Sequence, residues 1–327
     1  MNNEIIKEIE QKMASILNNE QKRKLGEVLL HTFYDVEVTK RNTNDVQDTN
    51  DYGELFIAAK RIEGCSERTL NYYKSTIDNM LNDIDKKVNC IETEDLRTYL
   101  ANYQSKNNCS KVTIDNVRRI LSSFFSWLED EDYIVKSPVR RIHKVKTTQT
   151  IKETYTDEEL EEMRDACNEI RDLAMIDFLA STGVRVGELV KIDIADVNLQ
   201  ERSCVVLGKG SKEREVYFDA RTKIHLQNYL NERTDNNSAL FVSLLKPYNR
   251  LKISGVEIRL RELGLKTNIK KVHPHKFRRS MATKAIDKGM PIEQVQVLLG
   301  HKKIDTTLQY AMVNQNNVKN SHKRYIC

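Results

Sequence analysis

VLLGHKKIDTTLQYAM, residues 297–312, holds the pattern on which the fold turns. An apolar helix end, Val297-Leu298-Leu299, runs into Gly300, the usual residue where a helix stops. His301 follows, then a short polar turn, then Tyr310 nine positions past the His (310 − 301 = 9). In a chain with 31% charged residues, a lone Tyr there is either half-buried packing or chemistry.

Working outward, three more stretches carry residues that could join it. Arg185 sits in STGVRVGELVKI (181–192), Lys209 in SCVVLGKGSKEREVYF (203–218), and His275 and Arg278 in HPHKFRRS (273–280). Each alone has an ordinary reading: a surface arginine, a solvated turn lysine, a polar residue past a helix end. Between Glu262 and Asp287, however, seven Lys/Arg and two His stand without one acid. Surfaces normally intersperse the two signs, so an acid-free basic belt points to phosphate.

The bulk numbers set the frame. A length of 327 residues suggests two domains at roughly 100–200 residues each. Four Pro and eleven Gly are few for this length and favour helices. The net charge of +5 is a weak hint of a polyanionic partner. Six scattered Cys form no C-x-x-C pair, so neither a zinc site nor a disulfide framework is expected. The charged start has no signal-peptide core, and no run of about 18 apolar residues spans a membrane. A reducing cytoplasm is the expected compartment.

Four segments follow along the chain. Residues 1–50 read as a helical extension and linker with seven Lys/Arg against nine Asp/Glu, so they are no basic arm. Residues 51–135 read as four helices, with Ser66 and Ser110 as N-caps. Ile114, Val117, Leu121, Phe124, Phe125 and Leu128 form one wide apolar face. Residues 136–152 open with KSPVRRIHKVK, five Lys/Arg and one His without an acid, and read as a basic interdomain linker. Pro138 argues against a continuous helix there. Residues 153–327 form the last domain, opening at a helix capped by Thr156. It contains a β-hairpin with Lys209 near its tip and ends in a C-terminal tail.

Taken together, the motifs resemble the tyrosine recombinase family, also called phage integrases. The family pattern TG-x-R-x-x-E is matched by Thr182, Gly183, Arg185 and Glu188, and GKG-x-K-x-R by the hairpin with Lys209. H-x-x-R is matched by His275 and Arg278, LGH by Leu299-Gly300-His301, and the nucleophile position by Tyr310. The spacings are similar to the family's, and S-x-x-T-L-x-x-Y (66–73) resembles its core-binding domain. The resemblance covers roughly residues 51–320.

The resemblance implies a mainly α fold. A small four-helix, SAM-like core-binding domain would precede a mostly helical catalytic domain with a small antiparallel sheet. It implies a site-specific DNA recombinase that needs no cofactor, metal or ATP. Tyr310 would be the nucleophile, forming a 3′-phosphotyrosyl link. Arg185 and Arg278 would hold the phosphate, Lys209 would protonate the leaving 5′-oxygen, and His275 and His301 would assist. Glu188 would orient its neighbours. Lys111, Thr113, Arg118, Arg119, Arg140, Arg141, Lys144, Lys212, Lys271 and Arg279 are the candidate DNA contacts. The implied partners are double-stranded DNA with inverted-repeat core sites and further copies of the chain, a dimer per site and a tetramer in synapsis. An accessory DNA-bending or directionality protein is a further candidate. The alternatives are a type IB topoisomerase-like relaxing enzyme and a catalytically silent DNA-binding protein of the same fold.

Overall fold

The computed structural model of the chain describes residues 2–14, 16–34, 36, 51–146, 153–208 and 213–311. Lys209, Lys212 and the tail from 312 onward lie outside the described residues, as do 37–50 and 147–152. The chain divides into two units, Met1–Thr148 and Gln149–Cys327.

The first unit begins with α1 (Asn2–Met13) and α2 (Asn19–Thr32), joined at a capping box between Asn18 and Gln21. Four helices follow: α3 (Tyr52–Ile62), α4 (Glu67–Ile84), α5 (Thr93–Asn107) and α6 (Lys111–Asp130). Ser66 and Ser110 cap α4 and α6, accepting from the Thr69 and Thr113 amides. The expected apolar face of α6 is buried, with Ile120 added to it. Phe56, Phe124 and Trp127 pack ring on ring at its centre.

The basic stretch after α6 differs from expectation. Rather than running as an extended linker, residues 136–146 are docked on the first unit. Pro138–Arg141 make one turn of 3-10 helix with Val139 buried. Thr93 Oγ1 donates to the Pro138 carbonyl, and the Val145 amide donates to Asp115. The physical reason is an apolar residue every third position. Val139, Ile142 and Val145 face the core while Arg140, Arg141 and Lys144 stay exposed.

The second unit contains α7 (Asp157–Asp165), α8 (Ile170–Thr182), α9 (Val186–Leu189) and α10 (Ala220–Glu232). After these come α11 (Ile253–Thr267), α12 (Pro274–Asp287), α13 (Ile292–Leu299) and α14 (Asp305–Ala311). Thr156 caps α7 in a capping box with Glu159, as its sequence suggests. Helix α8 is central, packed between α10 and α12. A three-stranded antiparallel sheet, β1 (Val197–Asn198), β2 (Ser203–Leu207) and β3 (Glu213–Tyr217), lies in the order β1-β2-β3. The strands alternate, so Val206 and Val216 face the core while Val205 and Tyr217 face out. Arg214 is two residues before Val216 and therefore shares the inward face. Among the described residues, no helix is long and apolar enough to cross a membrane.

Trp127 is the only Trp in the chain and reports on the first unit alone. Phe124→Ala, at a side chain with 0% exposure, is expected to cost about 3–5 kcal/mol. Urea unfolding followed by Trp127 fluorescence checks this, and an unchanged midpoint would mean that Phe124 does not pack the bundle.

Candidate active site

The second unit gathers side chains from four parts of the sequence around the end of α13. Helix α8 stops at Gly183, which has φ +61°. A side chain there would be strained, and a Cβ would stand 2.3 Å from the Met281 Cε. Its carbonyl accepts from Arg278 Nη1 at 2.6 Å. Two residues on, Arg185 opens α9, and its amide and guanidinium both donate to Glu188, at 2.8 and 2.7 Å.

Glu188 is 5% exposed and holds a second guanidinium. Arg214 Nη1 and Nη2 donate to its two oxygens at 2.8 and 2.7 Å, a bidentate fork. Burial would raise this carboxyl, but hydrogen bonds from Arg214 and from the Arg185 amide outweigh it and bring it down to about 2.

Helix α13 ends at Gly300, φ +63°, where a Cβ would press on Arg214. A helix C-terminus leaves orphan carbonyls and a partial negative charge. Three consecutive ones are taken by three arginines. The Leu298 carbonyl accepts from Arg214 Nε at 3.0 Å, Leu299 accepts from Arg278, and Gly300 accepts from Arg185 at 3.3 Å.

His301 comes next and lies against Arg278, whose Nη2 is 3.1 Å from the imidazole Nε2. Burial first, then Arg278, Arg185 and Arg214, push this imidazole down to about 4, so it is neutral at pH 7. Arg278 is 3% exposed; burial, then Arg185, push it downward too, yet it stays charged near neutrality. Tyr310, on α14, stacks on the His301 ring with centroids 6.0 Å apart. It packs against the small buried cluster of Ala282, Val295 and Leu299.

His275 is exposed, one turn before Arg278 on α12. Lost hydration, then the charges of Arg278 and Arg185, hold it below the usual histidine value. The structure thus brings together Arg185, Glu188, Arg278, His301 and Tyr310, with His275 at the margin; Lys209 lies outside the described residues. Three arginines and one carboxylate leave a net charge of +2 (3 − 1) beside a tyrosine. Such a site attracts a phosphate group. Among the described residues, no cluster of three or more His, Cys, Asp or Glu could hold a metal ion.

The candidate DNA contacts divide. Lys111, Arg119, Arg140, Arg141, Lys144 and Lys271 are exposed. Arg118 is turned inward, its side chain 14% exposed and bonded to Asp115 at 2.9 Å. Thr113 is engaged in the Ser110 cap, and Arg279 donates to the Glu153 carbonyl at 2.7 Å. Arg214 was not among the sequence candidates. Its signal was already in the motif GKG-x-K-x-R, of which it is the closing arginine.

Comparison with known proteins agrees with this geometry. The pattern described as "Phage integrase family" matches residues 153–317. The chain belongs to the phage integrase family. A second pattern, "Phage integrase, N-terminal SAM-like domain", matches residues 54–134. Phage integrases are tyrosine recombinases, which cleave and religate DNA by transesterification through a tyrosine. The chain is similar to tyrosine recombinase XerC of Staphylococcus aureus (strain MRSA252), at 29% identity over 294 residues, covering 84% of this chain and 97% of that protein. The XerH site-specific recombinase bound to a palindromic difH substrate has the same fold, with TM-score 0.67 and 20% identity over 97% of this chain and 93% of that one. So does a lambda integrase dimer bound to a COC′ core site, with TM-score 0.68 and 17% identity over 88% of this chain and 85% of that one.

The lowered Glu188 pKa has a definite sign. The stability it contributes is fully present above its ordinary value of 4.5 and is lost as pH falls through about 2. Glu188→Gln removes the partner of two guanidiniums and is expected to destabilise the second unit by about 3–5 kcal/mol at pH 7. That deficit should shrink as pH falls from 4.5 towards 2. Unfolding followed by circular dichroism across that range checks it, and a deficit independent of pH would contradict the assignment.

Proposed function

We propose that Tyr310 is the nucleophile of this site-specific DNA recombinase and that the arginines around Glu188 form its phosphate site. The observation that carries this reading is the set of three guanidiniums fixed on consecutive carbonyls of α13, beside the Tyr310 ring. In the step envisaged, Tyr310 Oη gives up its proton to His275, attacks phosphorus and forms a 3′-phosphotyrosyl bond. The bond to the 5′-oxygen breaks, and that oxygen leaves as a hydroxyl after taking a proton from Lys209. A 5′-hydroxyl from the partner strand then reverses the step. One hard exchange becomes two easier ones, with no need for metal or ATP.

Arg185 and Arg278 contact the non-bridging oxygens, where charge grows in the transition state. Arg214 spends its fork on Glu188, so it anchors the site rather than binding phosphate. His301 meets a phosphate oxygen, and His275 serves the tyrosine side. The substrate is double-stranded DNA with inverted-repeat core sites, bound by a dimer per site and a tetramer in synapsis. The palindromic substrate in the XerH structure and the dimer in the lambda integrase structure support that assembly by analogy. A DNA-bending or directionality protein is a candidate accessory. The place of work is the bacterial nucleoid.

A nicked suicide duplex carrying the inverted repeats beside the gene, incubated in EDTA, tests the reading. Wild type should give a covalent protein–DNA band and Tyr310→Phe none. A covalent band with Tyr310→Phe would overturn the assignment of the nucleophile. On the same duplex Arg185→Lys should slow single-turnover cleavage roughly 10²- to 10³-fold, because an ammonium cannot replace the planar fork.

A further inference from the structure

The described part of α14 meets the arginine site through one side-chain hydrogen bond. Thr307 Oγ1 lies 2.8 Å from His301 Nδ1. Thr307 is 0% exposed, so water does not compete for the bond. The roles of the two ring nitrogens follow from their partners. A guanidinium has donors only, so the nitrogen facing Arg278 Nη2 accepts. The hydrogen of the neutral ring then sits on Nδ1 and is donated to Thr307. Which nitrogen of a histidine carries the proton is set by the bond made at the other one.

We propose that Thr307 is a positioning residue that fixes the ring of His301, keeping Nδ1 turned into the protein and Nε2 turned towards the phosphate. This rests on the reading of the site as a phosphate-transfer centre. In the DNA-free chain Nε2 is an acceptor for Arg278. When a phosphate dianion-like transition state forms beside it, Nε2 takes one proton from solvent and becomes a donor. Nδ1 keeps its own hydrogen throughout, so the Thr307 oxygen accepts in both states and the ring does not turn. The same bond aligns the nucleophile. Thr307 precedes Tyr310 by three positions on α14, one turn away on the same face. Holding Thr307 on His301 therefore also sets the height of Tyr310 against the His301 ring, on which it stacks.

Two variants of the full chain separate hydrogen bonding from packing. Thr307→Val keeps the shape and loses the hydroxyl; Thr307→Ser keeps the hydroxyl and loses the methyl. Nitrogen-15 NMR of labelled histidines, with His301 assigned by its loss in His301→Gln, reads the tautomer without relying on activity. Wild type and Thr307→Ser should both show a protonated Nδ1 and an unprotonated Nε2. Thr307→Val should keep that tautomer, because Arg278 still faces Nε2, but its Nδ1 hydrogen, left without an acceptor, should shift upfield and exchange faster with water. On the nicked duplex, Thr307→Val should form the covalent product about 10- to 100-fold more slowly, the usual effect of losing a supporting bond on a functional imidazole. Thr307→Ser should restore most of the rate, and DNA affinity should not change.

Retention of the wild-type Nδ1–H signal or of the wild-type rate in Thr307→Val would overturn the proposal. So would a Thr307→Ser protein as defective as Thr307→Val, since packing would then be the cause. If wild type itself made no covalent product, the role of Tyr310 would fall, while the spectra would still decide the bond to Thr307.

Discussion

The second unit is organised around the C-terminal end of one short helix. Three successive carbonyls at the end of α13, those of Leu298, Leu299 and the capping Gly300, each take a guanidinium, from β3, from α12 and from the N-cap of α9 in turn. Helix ends carry orphan acceptors and partial negative charge, and here both are used to collect arginines. Each arginine sits on a different element, so the three bonds also fix those elements to one another. Gly183 and Gly300 make this geometry accessible. Both take the left-handed conformation, and both offer their carbonyls to an arginine.

Gathering like charges has a cost. At an effective dielectric near 20, two unit charges 4 Å apart repel by about 4 kcal/mol. Glu188 offsets this by binding Arg185 and Arg214 at once, and the helix-end carbonyls contribute the rest of the negative partners. The compensation is incomplete, leaving a positive excess that a phosphodiester would complete. Burial and then the same excess keep His301 neutral at rest. Electrostatics and hydrogen bonding therefore rest on one arrangement.

Much of this was legible in the sequence because the relevant signals are local. Ser66, Ser110 and Thr156 announce helix starts, Gly300 announces a stop, and the α6 periodicity announces a core face. Each of the six expected catalytic positions alone had an ordinary explanation, and only the constellation pointed to a site; five of them lie in the described residues, and Lys209 does not. What was missed depended on tertiary placement. The role of Arg214 needed the strand register and the location of Glu188. The docking of residues 136–146 was outweighed by their charge, although Val139, Ile142 and Val145 recur every third position. Arg118 looked available for DNA, but Asp115, three residues before it on the same helix, takes it up.

These contacts within the chain hold the arginine site together without DNA. Nitrogen-15 NMR of the guanidinium groups of Arg214 and Arg278 in the DNA-free chain tests this most directly. Fixed guanidiniums rotate slowly about the Nε–Cζ bond and give separate signals for the two Nη groups. Both arginines should give separate signals without DNA. Averaged signals that separate only when DNA is added would contradict it, showing that the substrate assembles the site.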